Sequence, residues 1–175
     1  MKGMKRYVPF LLLILLGPAA AVGQVSALKG HKTNAPVDVA ADRIEVQDRA
    51  DRAIFSGNVV VRQGDLTLTA PRLTVAYSSG GGVELRRIDA TGGVTVKSPS
   101  ETARGNIGIY DTRARIITLI GDVSLVQRDA NVNGGRLVID LDSGRAVMDG
   151  GGPPGTTRQG GRVTGRFTVP QKSGS

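Results

Sequence analysis

Residues able to do chemistry are few in this chain, and they are poorly grouped. It holds one histidine, His31, and no cysteine, which nearly rules out a zinc cluster or a thiol nucleophile. His31 sits in a stretch without periodicity and reads as a solvated side chain. Two carboxylate pairs, Asp48/Asp51 and Asp140/Asp142, could in principle serve as the acid and base of a sugar hydrolase. Both fall between apolar segments, at turns where carboxylates commonly cap the backbone. Gly92-Gly93 and Gly134-Gly135 cradle no phosphate, because no helical pattern follows either. The expectation is a protein that is not an enzyme and holds no metal and no cofactor.

The elements that would position any site are far more legible. Val37 to Met148 alternates apolar and polar residues almost throughout, with β-branched residues dense and turn residues between, the pattern of β-strands. Three strands are led by glycine: Phe55-Ser-Gly57-Asn-Val59-Val-Val61, Ala90-Thr-Gly92-Gly-Val94-Thr-Val96 and Leu119-Ile-Gly121-Asp-Val123-Ser-Leu125. Strands beginning at Ile44, Leu73, Ile107 and Leu137 interleave with them, at spacings of 29, 34 and 30 residues. Equal units of this size stack, because one strand pair cannot bury its own apolar face. In Leu66-Thr-Leu68-Thr-Ala70 the apolar positions are even, and after Pro71 they become odd, at Leu73, Val75 and Tyr77. Such a phase change flips the side chains unless a bulge or corner absorbs it. Similar switches are expected near Gly105 and Gly134-Gly135. The expected fold is all-β, with stacked antiparallel strands bent into a V-shaped jelly roll open at both ends.

The ends of the chain read differently. Met1-Lys2-Gly-Met4-Lys5-Arg6, an apolar run from Val8 to Leu16 and the small residues Ala19 to Ala27 outline a secretory signal peptide over residues 1–27, with cleavage between 21 and 27. The run is too short for a membrane span of about 20 apolar residues. Residues 28–36 read as a flexible lead-in, 37–149 as the β domain and 150–175 as a Gly/Pro-rich tail, with a possible last strand at Val163 to Val169. The 23 Lys and Arg outnumber the 15 Asp and Glu. Loss of residues 1–27 would remove Lys2, Lys5 and Arg6 and leave a net charge of +5. A basic exported protein favours anionic glycolipid or phosphate partners. Nucleic acid is a poor fit, with no basic cluster, no Trp and few other aromatics.

Two layers are expected to face each other. Val59, Val61, Val94, Val96, Val123 and Leu125 form one. Ile44, Val46, Leu73, Val75, Ile107, Ile109, Leu137 and Ile139 form the other. A closed hydrophobic core would use them all. A lining of small aliphatics in an open stack also suits acyl chains, each buried methylene gaining about 0.8 kcal/mol. Edge strands would be left unpaired at Val39 to Val46 and at Leu137 to Met148, the latter including Ile139 and Val147. Strand addition between copies or partners is the natural use of such edges.

The run Ala40-Ala-Asp42-Arg-Ile44-Glu-Val46, then Ala53-Ile-Phe55-Ser-Gly57-Asn58-Val59-Val60-Val61, then Leu66-Thr-Leu68-Thr-Ala70-Pro-Arg-Leu73 resembles the OstA-like family of lipopolysaccharide transport proteins. LptA and the domain that opens the outer-membrane protein LptD belong to that family. The resemblance covers Val37 to Met148. It implies a periplasmic, non-enzymatic carrier whose interior takes the acyl chains of lipopolysaccharide and passes the lipid toward the outer membrane. It also implies an LptC-like inner-membrane partner at the N-terminal edge, an LptD-like partner at the C-terminal edge, and copies joined head to tail. The alternatives left open are a structural or adhesive repeat protein with a closed core, and an envelope-sugar hydrolase.

Overall fold

The computed structural model describes residues 34–151 and 161–168. The signal-peptide reading of residues 1–27 and much of the lead-in and tail lie outside these residues. The strands are β1 (Asp38–Ala40), β2 (Arg43–Gln47), β3 (Arg52–Gln63), β4 (Leu66–Ser78), β5 (Glu84–Lys97), β6 (Glu101–Asp111), β7 (Ile116–Gln127), β8 (Ala130–Asp140), β9 (Arg145–Asp149) and β10 (Thr164–Phe167). All form one antiparallel sheet in which β3 to β8 follow chain order. Each outermost strand is divided in two. β1 and β2 pair with opposite halves of β3, and β10 and β9 with opposite halves of β8.

A line of bulges crosses the sheet and folds it. Register slips between Ser56 and Val59, Thr69 and Arg72, Thr91 and Val94, Arg104 and Ile107, and Ile120 and Val123. The glycine-led strands supply the backbone for this. Gly57-Asn58, Gly92-Gly93 and Gly121-Asp122 all have positive φ, at +78° and +46°, +91° and +96°, and +82° and +47°, where glycine, asparagine and aspartate are the tolerated residues. A side chain on Gly57 would collide with Asp42, whose carboxylate accepts a 2.8 Å hydrogen bond from Asn58 Nδ2. Asn106 and Asp122 repeat that pairing at 3.2 Å two hairpins later. The expected corners at Pro71, near Gly105 and at Gly134-Gly135 lie on this line.

The fold line makes two arms. Arm 1 carries the hairpin turns at residues 48–51, 79–83, 112–115 and 141–144, and arm 2 those at 64–65, 98–100 and 128–129. Their inner faces form one apolar cluster. Cross-strand pairing carries side chains in rows across the sheet. One row on arm 1 runs Ile44, Phe55, Leu73, Ala90, Gly108, Leu119, Leu137, Met148. One on arm 2 runs Val39, Val61, Leu68, Val96, Ala103, Leu125, Val132, Gly165. The phase change at Pro71 is absorbed as expected: Leu66, Leu68 and Ala70 before it and Leu73 after it are all buried.

Two placements differ from expectation. Ile107 and Ile109 do not face inward: Ile107 is 37% exposed, Ile109 is half-buried, and Gly108 and Tyr110 take the inner positions. The bulge after Arg104 shifts phase by one residue, as in β4, but the inner site between Val94 and Leu119 is tight for any side chain. A Cβ on Gly108 would stand 3.0 Å from Val94 Cγ1 and 3.2 Å from Leu119 Cδ2. The isoleucines cover the outer face instead, opposite Ile120 and Thr118. Gly108→Val is therefore expected to overpack the interior by about 1–3 kcal/mol, read as a lowered midpoint in urea unfolding. An unchanged midpoint would place Gly108 outside the core. Second, Leu137 and Ile139 are not edge residues. β9 folds back over β8 through the 141–144 turn, leaving both almost fully buried.

Candidate functional site

The inner rows end in the open at the N-terminal edge. Ile44 and Val46 sit opposite Phe55 and Ala53, so their side chains share the inner face, yet both are 56% exposed because no strand lies beyond β2 among the described residues. Val39, on β1, is half-buried and opposite Val61. At the other edge Met148 and Ala146 continue the inner rows and Val147 faces outward, 37% exposed. The strand left open at Val163 to Val169 is present as β10 (Thr164–Phe167), which joins the sheet beside Ala130 to Asn133; Val169 lies outside the described residues.

Between these edges the interior is packed shut. Val59, Val61, Val94, Val96, Val123 and Leu125 of arm 2 are buried, as are Leu73, Leu137 and Ile139 of arm 1; Val75 is half-buried. Leu119, Ile117, Ile88 and Ala90 complete the packing. The arms are tied at their tips by a side-chain bond: Tyr110 Oη donates to Gln63 Oε1 at 3.3 Å, and Gln63 Nε2 donates to the Ala35 carbonyl at 3.1 Å. Burial pushes the Tyr110 hydroxyl above its usual range, so it stays a donor at every physiological pH. Sequence reading missed Tyr110, because its polar partner is 47 residues away and no local pattern announces such a pair.

The carboxylates are occupied with turns. Asp140 accepts backbone N–H bonds from Asp142 at 2.9 Å and Ser143 at 3.0 Å. Hydrogen bonding from Ser143, backbone first, holds its carboxyl below the usual range. Asp111 does the same for Arg113 and Ala114 one hairpin earlier. Asp142 is paired with Arg115 Nη1 at 2.9 Å, and Asp51 accepts from the Ser79 hydroxyl at 3.0 Å. The contacts of Asp140 and Asp111 are Asx-type turns, and those of Asp142 and Asp51 link neighbouring hairpins.

The folded antiparallel sheet, its aliphatic interior and its two split edges define an open β-jelly-roll. The family described as LptA/(LptD N-terminal domain) LPS transport protein matches residues 38–145, and the chain belongs to it. An uncharacterised protein of Rhizobium meliloti (strain 1021) is 31% identical over 145 residues, covering 78% of each chain. The LPS-assembly protein LptD of Yersinia pestis bv. Antiqua is 38% identical over 81 residues, which are 45% of this chain and only 10% of that protein. LptH of Pseudomonas aeruginosa, a lipopolysaccharide export system protein, is 28% identical over 148 residues, 78% of this chain and 84% of LptH. Its crystal structure, described as that of the LptA-homologous periplasmic component of the lipopolysaccharide transport device, superposes with a TM-score of 0.68. That match is 20% identical and covers 78% of this chain and 98% of that one.

Proposed function

We propose that this chain is a periplasmic carrier that holds the acyl chains of lipopolysaccharide between its two arms and passes the lipid along a stack from the inner toward the outer membrane. The observation that carries the reading is the continuity of the inner rows, apolar or glycine at every strand from one open edge to the other. A closed globular core has no need to extend to Ile44 and Val46, half in water at the edge. Because the interior is packed shut, chains enter by parting the arms, which breaks the Tyr110–Gln63 bond. Each buried methylene then contributes about 0.8 kcal/mol toward holding the lipid.

Head-to-tail joining follows from strand direction. β2 is antiparallel to β3, β9 to β8, and five alternations separate β3 from β8, so β9 of one copy and β2 of the next would meet antiparallel. β1 would meet β10 in the same way, and both arms would continue. In that register Ile44 follows Met148, Val39 follows Gly165, Arg43 stands beside Asp149 and Asp38 beside Arg166. The same edges would accept an LptC-like inner-membrane protein at β1/β2 and an LptD-like outer-membrane protein at β9/β10 through β-strand addition. The test is site-specific photo-crosslinking in cells with the probe at Val96, and at outward-facing Thr95 as control. A glycolipid adduct at 96 and not at 95 is expected. Adducts at neither site would overturn the carrier reading and favour a structural repeat with a permanently closed core.

A further inference from the structure

The two edges of the folded sheet are finished differently. At the C-terminal edge the chain stays in the ladder past β10, because the Thr168 N–H donates to the Asp129 carbonyl at 2.8 Å. At the N-terminal edge the pairing of β1 with β3 ends at Asp38 and Arg62, and Ala35 to Val37 turn inward. Gln63 is the next residue along β3, and its side chain is buried on the inner side of arm 2. That side chain meets Ala35: Gln63 Nε2 donates to the Ala35 carbonyl at 3.1 Å. Val37 packs, partly buried, against the apolar cluster between the arms. Pro36 stiffens this short crossing. Its ring fixes its own φ at about −65° and biases Ala35 toward an extended backbone, so the segment loses little entropy on lying across the mouth.

One amide therefore serves two ties. Gln63 Oε1 accepts from Tyr110 Oη of arm 1 at 3.3 Å, while Gln63 Nε2 holds Ala35. The planar amide fixes the direction of its oxygen once its nitrogen is held, so the bond to Ala35 aims the acceptor that Tyr110 uses. Withdrawing Ala35 lets the Gln63 side chain rotate and weakens the tie between the arms.

An exposed aromatic at the opposite edge supplies the means of withdrawal. Phe167 lies opposite Ala130 on β10 and is 61% exposed. In the head-to-tail register proposed above, Val39 follows Gly165 and Asp38 stands beside Arg166, so Val37 of one copy would fall opposite Phe167 of its neighbour. β1 would then lengthen through residues 36 and 37, drawing them out of the mouth and into the ladder.

We propose that Ala35 to Val37 form a strap that keeps the arms shut in an isolated copy and is withdrawn when a neighbour's β10 pairs with β1, an inference that rests on the carrier reading and on that register. Docking and opening are thereby coupled. A copy admits acyl chains at its N-terminal end once a strand is joined there.

The chain has no cysteine, so Asp65→Cys and Ala114→Cys, exposed in the tip turns of arms 2 and 1, each take one spin label. Pulsed electron paramagnetic resonance reads the separation of the tips, and titration with a synthetic multi-acyl glycolipid reads affinity, both at a dilution where sedimentation shows monomer. The labelled chain is compared with its Val37→Asp and Pro36→Gly forms. Pro36 is exposed, so Pro36→Gly carries the test should Val37→Asp fail to melt cooperatively. The wild type should show one short separation. Each strap variant should add a longer one and bind the glycolipid about threefold to tenfold more tightly, as closed-state hydrogen bonds are lost. Labelled wild type in excess unlabelled chain should gain the longer separation as oligomers form with rising concentration. Wild-type separation and affinity in the strap variants would overturn the strap. Weaker binding in them would make the segment a lid that retains lipid and overturn the closing role. Oligomers that keep the short separation overturn the coupling, and absence of oligomers overturns the register beneath it. If no form binds the glycolipid, the carrier reading falls, while the separations still decide whether the segment holds the arms.

Discussion

Leu119→Asp should leave no cooperatively folded protein, whereas Ile44→Asp, on the same inner row, should melt within about 2 °C of wild type. Leu119 has no exposed surface and lies between Gly108 and Leu137 at the centre of that row. The substitution forfeits about 2–3 kcal/mol of burial and sets a carboxylate in the interior at a cost of several kcal/mol. Together these consume most of a stability of about 5–15 kcal/mol. Ile44 occupies the corresponding inner position on β2 but keeps over half its surface in water, so a charge there is hydrated. It would interrupt the apolar row only where one copy meets the next. Far-UV circular dichroism melts read both outcomes, and glycolipid crosslinking with a probe at Val96 of the Ile44→Asp protein reads the consequence for transfer. A cooperative melt of Leu119→Asp near the wild-type midpoint would mean that the rows are not a core at all. Full transfer through Ile44→Asp would mean that lipid does not cross this edge.

The second large effect is expected from exchanging charge across the joint. In the proposed head-to-tail register Asp38 of one copy would neighbour Arg166 of another, and Arg43 would neighbour Asp149. Asp38→Arg alone, or Arg166→Asp alone, places like charges in adjacent strands and should abolish oligomers at concentrations where the wild type forms them. A mixture of the two single variants should recover long oligomers of strictly alternating composition: Asp38→Arg meets Arg166→Asp at one joint, and the retained Arg166 meets the retained Asp38 at the next. Sedimentation velocity distinguishes monomer, dimer and longer species. A mixture that stays monomeric, or oligomers of either variant alone, would rule out this register. The pairs are exposed, so the discrimination should weaken as salt rises past about 0.15 M, where the screening length is about 8 Å.

Legibility in the sequence followed the reach of each interaction. The corners at Pro71, Gly105 and Gly134-Gly135 could be read because the apolar phase switches there, whereas Gly57, Gly92 and Gly121, whose positive φ makes the matching corners on the other strands, read only as starts of strands. The inward residues of β3, β4, β5, β7 and β8 could be read because strand parity and hydropathy agree. They disagree in β6, where the packed neighbours Val94 and Leu119 crowd the position of Gly108 and the isoleucines cover the outside. Hydropathy alone then selects the wrong face. The C-terminal edge was partly hidden, since β8 reads as a boundary until the 141–144 turn brings β9 over one half of it and β10 pairs with the other. The Tyr110–Gln63 tie depends on which strand ends meet in space, and no period encodes that.

The tie between Tyr110 and Gln63 bears on how strongly any chain can be held. On the carrier reading proposed above, an interior filled by its own side chains makes the lipid-competent conformation a minority of the population, and the observed affinity is the intrinsic one scaled by that fraction. An open fraction of one per cent weakens binding about a hundredfold, near 2.7 kcal/mol. A stack of such copies is then a series of equilibria in which a vacated interior refills with its own residues. That collapse slows forward and backward hops alike and favours neither. Net flow along the stack therefore depends on loading at one end and removal at the other.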